Sequence, residues 1–237
     1  LEAFLDAIPK QKPPLAHIVS IETAEQPQKS YVDFSIHKSE GQAERRTLIS
    51  PDVCVCDDCL SELFDPQDRR YGYPFINCTN CGPRYTIIMD IPYDRPFTAM
   101  KGFPMCPDCQ TEYDDPHDRR FHAQPNACWA CGPVVRLWDG DCHEVPGDDP
   151  IAGARALLKA GHIVAIKGLG GFHLAVDATN NDAVKRLRRR KHREEKPLAI
   201  MVADMKDAKR VGHVSEAEAA LLNSIRRPIV LLEKLDN

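Results

Sequence analysis

No stretch of this sequence approaches the ~18 consecutive apolar residues that a helix needs to span a bilayer, which excludes a helical membrane protein. A secretion signal is missing as well. The opening LEAFLDAIPK has neither a basic first part nor an unbroken apolar core. Neither sign of charge dominates: 31 Lys and Arg stand against 35 Asp and Glu, so net charge singles out neither nucleic acid nor a membrane surface as a partner. No Met opens the chain, and a piece of a longer cytoplasmic protein is expected. With 43% hydrophobic and 28% charged residues the composition is globular, which excludes a disordered chain. Its 237 residues exceed what one domain of ~100–200 residues usually takes. The abundant residues are 10 Cys and 19 Pro.

Eight of the cysteines form four C-x-x-C pairs: Cys56/Cys59, Cys78/Cys81, Cys106/Cys109 and Cys128/Cys131, separated by 18, 24 and 18 residues. C-x2-C, 15–20 residues, C-x2-C is the spacing of a four-thiolate zinc site. It occurs twice here, and every ligand recurs 50 residues later. The flanks repeat too, CDDCLSELFDPQDRR answering to CPDCQTEYDDPHDRR and CTNCGP to CWACGP. The middle of the chain is therefore an internal duplication. Each C-x-x-C turn aims two sulfurs at one point, and two turns complete a tetrahedron about Zn2+. The Gly-Pro after Cys81 and Cys131 turns the backbone away from the metal. So short a unit buries little apolar surface, and metal binding has to supply its folding energy. Four protein thiolates leave no open position, so both zincs read as structural.

Other uses of cysteine fit less well. Disulfides are rare without export, iron–sulfur ligands are spaced more compactly, and redox C-x-x-C motifs occur singly. A duplicated unit should hold its own four ligands, so pairing within each repeat is expected. Cys54 and Cys142 read as ordinary thiols, and His117 and His122 as surface residues, because the first copy has no His at their equivalents. The motif Asp-Pro-x-Asp-Arg-Arg occurs in both copies, at 65–70 and 115–120. Its arginines Arg69, Arg70, Arg119 and Arg120 read as exposed charges forming weak surface ion pairs. The sharper alternative has them lining a channel between domains.

The flanks are of other kinds. Apolar residues 1, 4, 5 and 8 predict an amphipathic helix stopped by Pro13-Pro14. Alternating stretches at 16–22 and 31–36 predict strands, and 38–46 is a polar linker. From about Pro150 helices and strands alternate. A helix over 151–160 closes on Gly161, and a strand over 162–167 has an apolar run suited to burial on both faces. Next come a Gly-rich loop at 167–171, a strand at 172–176, and a helix capped by Asn181 or Asp182 and running to Lys191. Strands are expected at 198–202 and 229–232, a helix starting at Asp204, and a capping box at Ser215/Glu218. The loop can admit phosphate to backbone N–H groups beside Lys167, but it is not a Walker A sequence. The run KRLRRRKHREEK at 185–196 holds eight Lys and Arg and two Glu. These features alone point to an anion-binding α/β domain.

The whole order, tandem C-x2-C-x18-C-x2-C with DPxDRR and CGP, then IKGLGGFHLAVDATN, then LRRRKHREEKPLAIM, resembles the HypF family of hydrogenase maturation carbamoyltransferases. The resemblance implies a multidomain α+β chain with four parts. Residues 1–40 would be the C-terminal part of a ferredoxin-like acylphosphatase domain and 41–53 a linker. Residues 54–143 would be two tandem four-cysteine zinc modules, and 144–237 part of a YrdC-like α/β nucleotide domain. It further implies an enzyme that takes carbamoyl phosphate and, with ATP and Mg2+, makes carbamoyl-adenylate. The carbamoyl group then passes to the C-terminal Cys of the partner HypE, for the cyanide ligand of NiFe hydrogenase. By the same resemblance Cys56, Cys59, Cys78 and Cys81 hold one zinc, and Cys106, Cys109, Cys128 and Cys131 the other. Lys167, Lys191, Arg193 and Lys196 line the pocket for ATP phosphates and the carbamoyl group. The Arg and Asn that perform acylphosphatase hydrolysis lie upstream of this segment, and the YrdC-like part stops about half complete. No catalytic residue is expected within the chain, which should bind zinc and be inactive or weakly active alone. Two rivals are a YrdC-type threonylcarbamoyl-adenylate synthase, against which the zinc tandem speaks, and a zinc-ribbon nucleic-acid binder. The absence of Phe, Tyr and Trp from 183–200 argues against the second.

Overall fold

A computed structural model describes residues 2–27, 32, 49–147, 149–193 and 195–235. Helix α1 (Glu2–Lys10) forms where its apolar spacing predicts, yet it buries no residue. The strand expected at 16–22 is not formed, and those residues run as irregular chain. A strand exists only through a ladder partner, and alternation alone cannot supply one. The strand expected at 31–36 and the linker at 38–46 lie outside the described residues, apart from Val32.

The two cysteine units build the middle. Helix α2 (Asp57–Phe64) starts at Cys56 as N-cap, and α3 (Pro107–Asp114) starts at Cys106 in the same way. Each first C-x-x-C is thus the opening turn of a helix, with Cys59 and Cys109 on the inner side, fully buried. Both helices stop at an extended Asp, Asp65 or Asp115, because the Pro that follows disfavours helical backbone before it. The Asp side chains then turn the chain. Asp65 Oδ1 accepts from Gln67 N–H and Asp115 Oδ1 from His117 N–H, both at 2.9 Å. Asp68 and Asp118 accept from the N–H of Arg70 and Arg120, both at 2.7 Å. Between the modules the chain makes two 3-10 turns, 95–97 and 99–102. Half-buried Arg95 fastens this connection by donating to the carbonyls of Phe103 (2.6 Å), Gln124 (2.6 Å) and Asn126 (2.9 Å).

The core here is small: Cys59, Tyr73, Ile76, Cys78, Cys81, Ile87, Met100 and Ala127. Three of these eight are cysteines of the first quartet. Both Cys-Gly-Pro glycines sit where no Cβ fits: Gly82, at φ +91°, lies against the Asn77 Cβ, and at Gly132 a Cβ would lie 2.6 Å from the Ala127 Cβ and against the Tyr73 hydroxyl. Gly132→Ala should therefore lower stability by roughly 1–3 kcal/mol through overpacking. Denaturant melting of the metal-loaded protein measures this, and a neutral substitution would contradict the close packing.

The last third begins with α4 (Pro150–Lys159), capped by Asp149, whose side chain accepts from Ala152 N–H at 2.8 Å. Gly161, at φ +81°, ends it. Strands β1 (Val164–Lys167) and β2 (Phe172–Ala175) form an antiparallel hairpin, Val164 opposite Ala175 and Lys167 opposite Phe172. Burial of β1 on both faces is not observed: Val164 is buried and the other three residues are exposed. The described residues add no third strand to the hairpin. Helix α5 (Asn181–Lys191) is capped by Asn180, one residue before the expected cap, through a 3.0 Å bond from Ala183 N–H. Helix α6 (Met205–Val211) starts at Asp204, and α7 (Glu216–Leu222) carries the full Ser215–Glu218 capping box. The strands expected at 198–202 and 229–232 are absent. Instead two-residue β3 (Gly212–His213) pairs with β4 (Glu233–Lys234). Apolar runs predict burial, but strand formation depends on neighbours far along the chain. No helix among the described residues is long and apolar enough to cross a membrane.

Candidate metal centres

Cys56, Cys59, Cys78 and Cys81 converge on one point, and Cys106, Cys109, Cys128 and Cys131 on a second, so the quartets assemble within each repeat. In the first, Sγ–Sγ separations are 3.7 Å for Cys56–Cys78 and 3.8 Å for Cys78–Cys81. In the second they are 3.7 Å (Cys106–Cys128), 3.8 Å (Cys128–Cys131) and 3.6 Å (Cys109–Cys131). A zinc tetrahedron with Zn–S of ~2.3 Å has edges of ~3.8 Å. A disulfide would need about 2.05 Å. All ten cysteines are free thiols.

The chemistry of the donor set agrees. Hydrogen bonds from Cys59 and Cys81 push the Cys78 thiol well down, and the same sharing with Cys78 pushes Cys59 well up. Burial pushes Cys109 up to about 12. The sulfurs of one quartet oppose each other's ionisation, and a divalent cation at the centre is what allows all four to be thiolates. These residues fit structural zinc, closed on all four sides, and an all-thiolate set suits that metal.

The Asp-Pro-x-Asp-Arg-Arg arginines are not weak surface ion pairs: Arg69 stays exposed and Arg119 half-buried, but all four pair with a glutamate of the other module. Arg70 and Arg120 are 2% and 4% exposed, and each crosses to the other module. Arg70 Nη2 meets Glu112 Oε2 at 2.5 Å and Asn126 Oδ1 at 2.9 Å, while Nε donates to the Ala127 carbonyl at 2.9 Å. Arg69 shares Glu112, Nη2 to Oε1 at 2.6 Å. Arg119 and Arg120 both pair with Glu62, and Arg120 Nε donates to the Asn77 carbonyl at 3.1 Å. Burial opposes ionisation of Glu112, but hydrogen bonds from Arg70 and Arg69 outweigh it and hold the carboxyl at about 2. Glu62 is lowered in the same way by Arg120 and Arg119. The guanidinium groups also reach sulfur. Arg119 Nη1 donates to Cys59 Sγ at 2.9 Å, and Arg69 Nη1 and Nη2 to Cys109 Sγ at 3.5 and 3.4 Å.

Sequence reasoning missed Glu62, Glu112 and Asn126. The glutamates carried a usable signal, since they recur at the same 50-residue offset as the ligands. The remaining assignments of ordinary surface character hold. His117 is exposed, its ring 3.3 Å from Asp115 Oδ1, and His122 stacks on Tyr113 with ring centroids 5.0 Å apart. Cys142 is exposed and Cys54 half-buried.

The basic segment forms a second locus. Lys191, Arg193 and Lys196, with His192 and Glu195, line an open cavity of about 510 Å³ at the C-terminal end of α5. His192 caps that helix in the left-handed conformation at φ 48°, ψ 44°. Arg188 Nη1 steadies the loop by donating to the Lys196 carbonyl at 3.0 Å. Arg193 Nη2 donates to the Pro197 carbonyl at 3.0 Å, and among the described residues its buried Nε has no hydrogen-bond partner. Lys167 does not join this lining. Its ammonium donates to the Gly168 carbonyl at 3.2 Å, beside the β1–β2 turn, and lies 5.7 Å from the centre of the Phe172 ring.

The fold and its centres thus define a tandem zinc-module protein continued by a YrdC-like segment. The HypF finger family matches residues 55–88 and 105–138, and the family described as Telomere recombination, the Sua5–YciO–YrdC group, matches 156–237. Carbamoyltransferase HypF2 of Cupriavidus necator is 56% identical over 229 residues, which are 95% of this chain and 28% of that protein. Carbamoyltransferase HypF of Synechocystis is 50% identical over 98% of this chain and 30% of its own length. A crystal structure of full-length HypF in the phosphate- and nucleotide-bound form superposes with a TM-score of 0.90 at 53% identity, over 100% of this chain and 31% of that one. The chain belongs to the HypF family, whose similar curated members are named carbamoyltransferases. It spans about 30% of the length of those relatives.

Proposed function

We propose that this chain is the zinc-braced part of an ATP-dependent carbamoyltransferase. In this reading the whole protein converts carbamoyl phosphate and ATP, with Mg2+, to carbamoyl-adenylate. It then delivers the carbamoyl group to the C-terminal Cys of HypE, for the cyanide ligand of NiFe hydrogenase. The domain limits expected from the sequence, 1–40, 41–53, 54–143 and 144–237, belong to the same proposal. The observation that supports it best is the joining of two closed thiolate centres to a cationic cavity on a YrdC-like segment, in a chain of this family. The zincs are structural and leave the chemistry to the anion-binding part.

Lys191, Arg193 and Lys196 are the nucleotide-phosphate contacts in this reading, and Lys167 of the hairpin, outside that lining, belongs to the same proposal. Fixed cations offset the negative charge that builds on the α-phosphate during adenylation. Arg193, whose guanidinium also holds the Pro197 carbonyl, is a cation suited to such an oxygen. Arg193→Ala in the full-length protein should reduce carbamoyl-phosphate-dependent ATP–pyrophosphate exchange at least about tenfold, the loss of one well-placed charge, with zinc content unchanged. Undiminished exchange would remove Arg193 from the site. Exchange that depends on threonine plus bicarbonate instead would move the protein to the threonylcarbamoyl-adenylate class.

A further inference from the structure

The principal arginine contacts between the modules come in reciprocal pairs, related by exchanging each residue for its equivalent 50 positions away; others, such as Arg70 with Asn126 and Tyr73 with the Pro133 carbonyl, have no such mate. Arg69 on Cys109 becomes Arg119 on Cys59. Arg70 with Glu112 becomes Arg120 with Glu62. Arg70 Nε on the Ala127 carbonyl becomes Arg120 Nε on the Asn77 carbonyl. This is the reciprocity of an isologous two-fold interface, written within one chain. Its centre is polar: two buried arginines, the two glutamates that hold them, and one buried sulfur from each quartet.

We propose that the two zinc modules are a reciprocally capped pair, in which the guanidinium that neutralises each metal–thiolate cluster comes from the other module. Arg119 is the positioning residue for the first site, and Arg69, with Arg70, for the second. A zinc ion with four thiolates has a net charge of about −2, and partial burial of that charge needs compensation. Arg119 and Arg120 with Glu62 bring one net positive charge to the first cluster. Arg69 and Arg70 with Glu112 bring one to the second. Each capped sulfur, Cys59 or Cys109, is fully buried, where water cannot take over the task. The caps are unequal. Cys59 receives one donor at 2.9 Å, whereas Cys109 receives three, two from Arg69 and one from Arg70 Nη2 at 3.5 Å. The first site therefore depends more on a single side chain.

The inference rests on the zinc reading, and the experiment separates the two. Metal analysis of the unaltered protein comes first, and two zincs per chain are expected. Fewer would count against the zinc reading itself. The protein is then challenged with a chelator and pulsed with N-ethylmaleimide, and mass spectrometry of its peptides records which cysteines become labelled. Arg119→Gln should speed labelling of Cys56, Cys59, Cys78 and Cys81 about ten- to hundredfold, the usual effect of losing an outer-shell partner. It should leave the Cys106–Cys131 quartet, in its own module, nearly unchanged. Arg69→Gln should do the reverse, by a smaller factor because Arg70 remains. Arg119→Lys keeps the charge and should fall between Gln and the unaltered protein. If the Gln protein does not fold, Arg119→Lys serves as the test, with faster labelling confined to the first quartet. Faster labelling within the altered residue's own quartet, equal acceleration of both, or none would overturn the proposal.

Discussion

Stripped of metal under reducing conditions, residues 51–138 should lose their ordered structure while the protein remains covalently intact. Nothing else there is large enough to hold a fold. Helices α2 and α3 have eight residues each, below the ~12–15 at which an isolated helix becomes marginal. The pairing between strands is limited to isolated bridges such as Val53 with Gly82 and Ile88 with Thr98. Three of the eight core residues are themselves first-quartet ligands, so removing the ion takes away the reason they are buried. Binding of structural zinc by small modules is worth about 10–16 kcal/mol at neutral pH, and here that free energy is folding free energy. Amide-resolved NMR before and after chelation measures the effect. A dispersed spectrum for this region in a metal-free, reduced sample would show that packing alone suffices, and the structural assignment of the zincs would fail.

Arg70→Ala should destabilise the metal-loaded protein by about 3–5 kcal/mol, the usual result of removing one partner from a buried ion pair. The substitution leaves half-buried Glu112 without its closest cation, and takes a donor from buried Asn126 and another from the carbonyl of buried Ala127. Arg136→Ala is the matched control. Its pair with Glu144, at 3.2 Å, is exposed on both sides, and its loss should stay within about 0.5 kcal/mol. Urea unfolding followed by circular dichroism compares the two. Equal, small effects would mean that the inter-module arginines are no more than surface charges after all.

The quartets were legible because metal ligation uses a local device. Two cysteines three residues apart form one turn, and the 50-residue repeat shows which turns belong together. Helix caps were legible for the same reason: Asp204 and the Ser215–Glu218 box act within a single turn. The strands at 16–22, 198–202 and 229–232 misled because alternation and apolar runs describe a strand's faces, while its existence depends on a partner elsewhere in the chain. Burial of β1 failed on the same ground, since an apolar run states a demand for cover and not its presence.

The arginine pairs show where the boundary falls. Sequence by itself determined that eight thiols form two four-sulfur cages within a duplicated unit, because the spacing of C-x-x-C turns encodes the geometry. It also showed that Arg69, Arg70, Arg119 and Arg120 follow the same Asp-Pro-x-Asp segment in both copies. Only the tertiary structure decided that these charges turn to the opposite copy, toward Glu62, Glu112 and the sulfurs of the opposite cage, with Arg70 and Arg120 buried there. A charged side chain goes inside only when a partner of opposite sign is already there, and that partner was set by how two similar surfaces met.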